Sequence, residues 1–240
     1  MSNSITIAID VMGSDKGPSE IISGAALSRE RHPGTKYVFF GDFKEITKAL
    51  KKHQILNQCS EIISTESVVL PDDKPSQVLR KSQNTSMGSS LEYLKNKKVD
   101  ALVSAGNTGA LMALSKFKLR TMHGISRPAI ATTLPHSNGE FVMFDLGANI
   151  ECDSENLIQF AIMGTEFAKI ILAKEKPKIG ILNVGTEQEK GKASLQQASD
   201  YLKGSYLSNQ FSGFVEGNTI TNGLVDVVVT DGFTGNIALK

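Results

Sequence analysis

The chain alternates between short, almost continuously apolar runs and longer stretches in which apolar residues recur at helical spacing. The runs at 5–12 and 225–230 (ITIAIDVM and VDVVVT) show little polar alternation, which is typical of strands buried on both faces. Further strands are predicted at residues 37–40, 61–64, 99–104, 129–133, 141–144, 178–184 and 214–215. Strands that alternate with helices indicate a mostly parallel sheet with helices on both faces.

The stretches between these strands carry the start and stop signals of helices. Pro18 and Glu20 mark the first turn of a helix that basic residues close near position 31. Asp153 or Ser154 is the expected cap of the longest helix, predicted over 154–173. The other helices are predicted at 44–53, 87–98, 107–117 and 192–203, whereas the polar residues 65–85 predict a loop.

The same alternation bears on domain organisation. No internal repeat, low-complexity segment or linker-like composition divides the chain, so residues 1–240 are interpreted as a single α/β domain. Residues 235–240 resemble the first turns of a helix without a C-terminal cap. Because the strand at 225–230 needs such a helix to cover its face, we expect the C-terminal part of the domain to be missing.

Composition argues against several classes of protein. The 240 residues carry 26 Lys+Arg against 25 Asp+Glu, a formal net charge of +1, which argues against a disordered chain and against a nucleic-acid partner. No apolar run approaches the ~18–20 residues that span a membrane. The start, MSNSITIAIDVMG, lacks the basic and apolar regions of a signal peptide. We therefore expect a soluble cytoplasmic protein.

Residues with metal-binding or nucleophilic chemistry are dispersed along the chain. Cys59 and Cys152 are far apart without a C-x-x-C pattern, and the four histidines are scattered, so no metal site is expected. Ser104 does not lie in a G-x-S-x-G elbow, which argues against a serine hydrolase. A dinucleotide fingerprint and a P-loop are both missing, so no cofactor is expected.

Five glycine-containing polar clusters follow predicted strands. They lie at 10–15, 104–109, 145–149, 183–187 and 231–236. Ligands of open parallel sheets bind beyond the carboxyl ends of the strands, and helix starts supply free N–H groups for anions. One such cluster is ordinary turn chemistry, but five at successive strand ends favour a shared polar cleft. Arg127 and Lys190 lie in or near these loops and are candidate cations for a phosphate-like anion.

Seven segments, in order over residues 5–240, resemble the bacterial phosphate acyltransferase family of phospholipid synthesis. They are DVMGSDKGP (10–18), SAGNTGALMA (104–113), RPAIA (127–131), DLGAN (145–149), LNVGTEQEKG (182–191), GFVEGNTI (213–220) and VVTDGFTGNIALK (228–240). Members of that family transfer a fatty acyl group from acyl carrier protein to inorganic phosphate. Ser14 is a departure, because the family usually has a second glycine there. Family chains also continue well beyond the DGFTGN motif.

The resemblance implies further properties. The expected fold is a three-layer α/β/α architecture similar to phosphotransacetylases and to the isocitrate/isopropylmalate dehydrogenase group. Family members are typically homodimers that associate loosely with the cytoplasmic face of the membrane. Their acyl phosphate product passes to a membrane glycerol-phosphate acyltransferase. The reaction requires neither a metal nor a redox cofactor, because phosphate is itself the nucleophile.

Motif position suggests roles for individual residues. Asn107, Asp231 and Lys190 are the predicted catalytic residues. Substrate binding is predicted for Asp10, Gly13, Ser104, Gly106, Thr108, Gly109, Arg127, Asn149, Thr234 and Asn236. The loop 104–109 would cradle phosphate or the oxyanion, and Lys190 or Arg127 would neutralise charge.

The acidic carrier protein predicts a local basic patch despite the neutral total charge. Lys95, Lys97 and Lys98 form a candidate run, although a solvated helix face also explains them. Two other functions stay open. One is a phosphotransacetylase-type enzyme that uses acyl-coenzyme A, and the other is a non-catalytic truncated binding module.

Overall fold

The computed structural model describes residues 4–14 and 16–240 and divides them into two compact units. The first unit is Met1–Arg120 and the second is Thr121–Lys240, and each has its own sheet. Asp15, which closes the first glycine cluster, lies outside the described residues. The interpretation of residues 1–240 as one domain stays a prediction.

The first unit contains a four-stranded sheet with the order β3-β2-β1-β4, in which every neighbouring pair is parallel. Its strands are β1 (Thr6–Asp10), β2 (Lys36–Gly41), β3 (Ser60–Ser64) and β4 (Ala101–Ser104). Its helices are α1 (Pro18–Arg31), α2 (Phe43–Leu50), α3 (Pro75–Lys81), α4 (Ser86–Lys95) and α5 (Thr108–Leu119). Short 3₁₀ turns occur at Gln54–Leu56 and Ser82–Asn84.

Alternating side chains of β1 and β2 pack on the two faces of this sheet. Ile9 and Phe39 join a buried cluster with α1 and α2, whereas Ala8 and Phe40 join a second cluster with residues of α4 on the opposite face. Successive side chains of a strand point to opposite faces, so a strand covered on both sides needs apolar residues at every position. The first unit therefore has the three layers that were expected.

The second unit contains a five-stranded sheet with the order β5-β6-β9-β7-β8. Its strands are β5 (Ala131–His136), β6 (Gly139–Phe144), β7 (Ile179–Leu182), β8 (Phe211–Val215) and β9 (Val227–Val229). Its helices are α6 (Ser154–Ile171), α7 (Ala193–Gly204) and α8 (Gly232–Leu239), with a 3₁₀ turn at Ile220–Asn222. All neighbouring strands are parallel except β5 and β6, which form an antiparallel hairpin. The prediction of mostly parallel strands is confirmed.

The core of the second unit lies between its sheet and the helices α6 and α7. Phe144, Ile181 and Val229 of the sheet contact Phe160 of α6 and Leu202 of α7 in one buried cluster. A smaller cluster on the other face contains alternate residues of the same strands and the 3₁₀ turn. Burial on both faces explains why the run 225–230 contains so little polar alternation.

One element was predicted wrongly. Residues 65–85 were expected to form a loop, but Pro75 begins helix α3, whose Val78 side chain is buried. A helix of 7 residues with a single buried side chain has too short an apolar pattern to be recognised from sequence. The helix predicted at 107–117 is confirmed as α5, and Asp153 rather than Ser154 caps α6. Within residues 4–14 and 16–240, none of the helices combines the length and apolar character needed to cross a membrane.

Candidate functional site

Asp10 and Ser104 lie side by side at the carboxyl ends of β1 and β4. The strands are parallel neighbours, and their register pairs these two residues. The Ser104 hydroxyl donates a hydrogen bond to Asp10 Oδ2 at 2.8 Å and accepts one from the Gly106 N–H at 3.2 Å. Asp10 is only 1% exposed, so water cannot readily donate hydrogen bonds to its carboxylate, and the Ser104 hydroxyl donates one instead. The structure thus brings three of the predicted site residues together.

Gly13 and Gly106 allow two strand-end loops to pass in backbone contact. A Cβ atom at Gly13 would lie 2.8 Å from Gly106 Cα, and a Cβ atom at Gly106 would lie 3.2 Å from Gly13 Cα. Contacts this short leave no space for a side chain at Gly13, which is the reason for glycine there. The close approach holds the loop that follows β4 beside the loop that follows β1.

Asn107 is the N-cap of α5, and both ends of its side chain are engaged. Its Oδ1 accepts a hydrogen bond from the Ala110 N–H at 2.9 Å. Its Nδ2 lies 2.8 Å from the carbonyl oxygen of Pro71, 3.3 Å from that of Leu70 and 3.1 Å from that of Asp73. The side chain therefore positions the segment 70–73 as well as the helix. A direct contact between Asn107 and substrate stays a prediction.

Thr108 and Gly109 form the exposed first turn of α5. The first N–H groups of a helix have no acceptor within the helix and carry its positive dipole end. Backbone donors and a threonine hydroxyl at such a position suit an anion. This end of α5, next to Ser104 and Gly106, is the candidate anion-binding element of the first unit.

The second unit contains a strand-end cluster centred on Asp145, directly after β6. Asp145 is fully buried, and its Oδ1 accepts from the N–H groups of Ile130 at 2.9 Å and Ala148 at 3.1 Å. Its Oδ2 accepts from the Asn149 N–H at 2.7 Å and from Asn149 Nδ2 at 2.9 Å. Asn149 Nδ2 also donates to the Pro128 carbonyl at 2.8 Å. Asn149 is thus held in place by a buried carboxylate, and the substrate binding predicted for it stays a prediction.

Asp145 was not among the predicted site residues, although it begins the cluster 145–149. The signal was an acidic residue at the end of a buried strand, where a carboxylate requires several donors. Three of the four donors of Asp145 come from Ala148 and Asn149, three and four residues ahead, so local spacing contained most of the network; only the Ile130 donor is distant in sequence.

Asp231 caps α8 and pairs with a lysine. Its Oδ1 accepts from the Thr234 N–H at 2.7 Å, and its Oδ2 lies 3.2 Å from Lys192 Nζ. Burial raises the pKa of Asp231, but hydrogen bonds from the Thr234 backbone and side chain and the charge of Lys192 outweigh it, so that the pKa lies below its ordinary value. The Gly232 N–H donates to the Asn149 carbonyl at 2.7 Å. The start of α8 and the Asp145 cluster are therefore neighbours.

Thr234 and Asn236 lie on the first turns of α8. The backbone N–H and the side chain of Thr234 both donate hydrogen bonds to the Asp231 carboxylate. Asn236 is exposed beside Gly147, where an added Cβ would lie 3.6 Å from its side chain. The substrate contacts predicted for both residues stay predictions.

Three basic residues in or near the strand-end loops of the second unit have different partners. Lys190 is exposed and pairs with Glu187 at 2.8 Å, and their hydrogen bond lowers the pKa of Glu187 and raises that of Lys190. Lys192, which sequence reasoning missed, pairs with Asp231 instead. Arg127 is exposed and forms no ion pair within the described chain. Of these three residues, Arg127 is the one whose charge is not paired, so its guanidinium is available to an anionic ligand.

Cys152 is half-buried beside the two acidic clusters of the second unit. Burial is the largest cause that raises the pKa of this thiol to about 11, and the negative charges of Asp145 and Asp231 act in the same direction. The Gly232 N–H and the charge of Arg127 lower the pKa and offset the increase only in part. The thiolate is the nucleophilic form of cysteine, and it is scarce at neutral pH when the pKa is this high. Cys152 is therefore not an activated nucleophile. Among residues 4–14 and 16–240, no group of three or more His, Cys, Asp or Glu is placed to hold a metal ion.

Each unit has a strand-end cluster beside the start of a helix, an arrangement found in α/β proteins that bind anionic ligands. Two solved structures share the fold. EutD phosphotransacetylase from Staphylococcus aureus has a TM-score of 0.71 at 17% identity, covering 98% of this chain and 80% of that one. A phosphotransacetylase from Streptococcus pyogenes has a TM-score of 0.72 at 19% identity, covering 100% of this chain and 81% of that one.

The chain belongs to the fatty acid synthesis protein family, whose profile matches residues 5–240. It is 49% identical over 240 residues to the phosphate acyltransferase of Rhodospirillum centenum, covering 100% of this chain and 68% of that protein. It is 50% identical over 236 residues to the phosphate acyltransferase of Erythrobacter litoralis, covering 98% of this chain and 66% of that protein. The family recognised from the seven sequence segments is therefore confirmed, and the chain spans about two thirds of the length of these relatives.

Proposed function

We propose that this protein transfers a fatty acyl group from acyl carrier protein to inorganic phosphate, which yields an acyl phosphate for phospholipid synthesis. The observation that carries the proposal is the identity of 49% to a phosphate acyltransferase over all 240 residues. Membership of the fatty acid synthesis family agrees with this role, and the acyl-transfer activity follows the relatives named phosphate acyltransferase. The geometry of the strand ends agrees with an anionic substrate.

The chemistry requires one bond to form and one to break. A phosphate oxygen attacks the thioester carbonyl, the new C–O bond forms, and the C–S bond breaks as the electron pair leaves on sulfur and is protonated. The protein must hold phosphate at the carbonyl carbon and stabilise the negative charge that develops on the carbonyl oxygen. Backbone N–H groups at a helix start are suitable donors for either task.

In the first unit we assign phosphate or oxyanion binding to the start of α5. Thr108 and Gly109 supply exposed backbone donors, and the Thr108 hydroxyl adds a third polar group. Ser104 and Asp10 hold the preceding loop in place through their hydrogen bond of 2.8 Å. Asn107 is assigned to positioning, because its Oδ1 and Nδ2 are already bound within the chain.

In the second unit we assign charge neutralisation to Arg127 in preference to Lys190. Lys190 is held by Glu187, whereas Arg127 is exposed and has no ion pair in the described part of the chain. Asp231 and Asn149 anchor the start of α8 near it. A planar guanidinium also binds phosphate through two parallel hydrogen bonds.

We extend the proposal to the cellular setting that the family resemblance implies. The protein would act in the cytoplasm as a homodimer and touch the inner face of the membrane peripherally. Its acyl phosphate would pass there to a membrane glycerol-phosphate acyltransferase. Acyl phosphates hydrolyse readily, so direct transfer at the membrane would protect the product.

A donor comparison tests the proposed function against its alternatives. Purified protein receives phosphate with either acyl carrier protein or coenzyme A as the acyl carrier, and acyl phosphate is trapped with hydroxylamine. We expect kcat/KM to be higher with the carrier protein. A preference for acyl-coenzyme A would favour the phosphotransacetylase-type reaction. Phosphate binding by calorimetry without any turnover would favour a non-catalytic module.

A further inference from the structure

A groove with basic and apolar walls lies in the first unit, at the C-terminal end of α5. It is lined by Leu79, Lys95, Ala113, Lys116, Phe117, Lys118, Leu119 and Arg120, and its volume is about 890 Å³. Its basic residues Lys116 to Arg120 lie about 12–18 Å along the helix axis from Thr108. The groove is therefore distinct from the anion-binding end of α5.

The groove carries excess positive charge. Four of its eight lining residues are basic and none is acidic. Lys118 pairs with Glu92 at 3.2 Å, and Lys95 reaches the same carboxylate at 3.9 Å, so two lysines share one acid. Both lysines lower the pKa of Glu92. Lys116 and Arg120 are exposed and form no ion pair with any described residue.

The groove also exposes apolar side chains. Phe117 is 70% exposed and Leu119 is 38% exposed. A phenylalanine left in water forgoes the favourable burial of its ring. Basic residues near the C-terminal end of a helix are explained by the helix dipole, but an exposed aromatic ring among them is not. Aromatic residues within a charged rim are characteristic of protein interfaces.

We propose that this groove is the docking surface for acyl carrier protein, the donor in the proposed function on which this inference rests. Complementary charge steers association, and the groove presents unpaired cations to an acidic protein surface. Phe117, which is more exposed than Leu119, is the apolar anchor of this surface. We therefore place the basic patch at the groove rather than at the run Lys95, Lys97 and Lys98. Lys95 lines the groove with Lys116 and Arg120. Lys98 instead lies 4.7 Å above the Tyr93 ring.

Charge reversal tests the docking surface. Lys116→Glu combined with Arg120→Glu is compared with Lys48→Glu combined with Lys52→Glu, which makes the same charge change at exposed lysines of α2 and the turn after it. The groove variant should raise KM for acyl carrier protein about tenfold without changing kcat or KM for phosphate. The effect should shrink as salt rises from 20 mM to about 200 mM, because exposed charges are screened. The control variant should behave like the wild type.

Two further measurements separate docking from folding and from catalysis. Phe117→Ala should also raise KM for the carrier-bound donor, while neither groove variant should change kcat/KM for a small acyl thioester. A groove variant that loses activity equally with both donors, or a control variant with the same KM increase, contradicts the proposal.

Calorimetry with acyl carrier protein distinguishes this inference from the proposed function. If the wild type binds the carrier, the groove variant does not, and acyl phosphate never forms, then docking stands and the proposed function fails. If the wild type does not bind the carrier, or the groove variant binds it equally well, the docking surface is overturned. The proposal is also overturned if the groove variant binds the carrier as the wild type does but no longer binds phosphatidylglycerol vesicles, since the surface would then serve a membrane.

Discussion

The Asn107 side-chain nitrogen lies 2.8 Å from the carbonyl oxygen of Pro71, while the oxygen of the same amide accepts the Ala110 N–H at 2.9 Å. One side chain thus caps α5 and fastens the segment 70–73 to its start. The two tasks fall on different atoms, so substitution can separate them. This relationship assigns Asn107 to the support of the candidate anion site.

Asn107→Asp should release the segment without uncapping the helix. Aspartate retains a capping oxygen, but it replaces the donor that faces the Pro71 carbonyl with a negatively charged acceptor. Amide hydrogen exchange measured by mass spectrometry should accelerate at 66–75 and stay unchanged at 108–119. Asn107→Ala removes both atoms, so exchange should accelerate in both segments, and unfolding should become about 1 kcal/mol easier through loss of the cap. Equal protection of 66–75 in the wild type and in Asn107→Asp would contradict this assignment.

Ser104→Ala should destabilise the first unit by about 1–3 kcal/mol, because it leaves the buried Asp10 carboxylate without the hydroxyl donor. The measurement is urea unfolding followed by circular dichroism. Ser76→Ala, at an exposed position of α3, is the matched control and should change stability by less than about 0.5 kcal/mol. Equal stabilities of the two variants would show that the Ser104–Asp10 bond contributes nothing.

Gly235→Ala should disrupt the packing of α8 against the end of β6. A Cβ atom at Gly235 would lie within van der Waals overlap of the Asp145 carbonyl oxygen, a backbone atom that cannot move freely. We expect a loss of about 1–3 kcal/mol in thermal or urea unfolding. Gly204→Ala is the matched control near the end of α7, where an added Cβ meets nothing within 4 Å. It should be neutral or slightly stabilising, and a tolerated Gly235→Ala would refute this packing.

The Asp231–Lys192 pair predicts a change in pH dependence. The pKa of Asp231 is lowered in the folded protein, so its contribution to stability is present above the ordinary carboxyl pKa of about 4 and is lost as the pH falls through the folded value. Lys192→Met removes the cation and should raise the pKa of Asp231 toward the ordinary value. Carbon-detected NMR titration of the Asp231 carboxyl measures the change. An unchanged or lower pKa in the variant would contradict the role given to Lys192.

Local signals in the sequence predicted much of this structure. Asp153 was expected as a cap from a short window of sequence, and it accepts an N–H three residues ahead. Asn107 and Asp231 make the same interaction, although the sequence predicted them as catalytic residues rather than caps. Asp10 and Ser104 were both expected at strand ends. Their contact follows because parallel neighbours bring carboxyl ends together.

Other features depend on residues far apart in sequence and could not be predicted. Lys192 reaches Asp231 across 39 positions, and Asn107 reaches Pro71 across 36. Lys190 looked equally suited to bind an anion, but the fold pairs it with Glu187. The family was recognisable because its motifs occur in order along the chain, whereas the individual roles of the site residues stay proposals.

The central claim is that inorganic phosphate accepts the acyl group from acyl carrier protein. Phosphorus NMR of the protein with acyl carrier protein thioester and phosphate tests it most directly, with thiol release measured in parallel. We predict an acyl phosphate signal that requires phosphate, disappears on hydroxylamine treatment and grows with one thiol released for each molecule formed. Thiol release that is independent of phosphate and yields only free fatty acid would contradict the account.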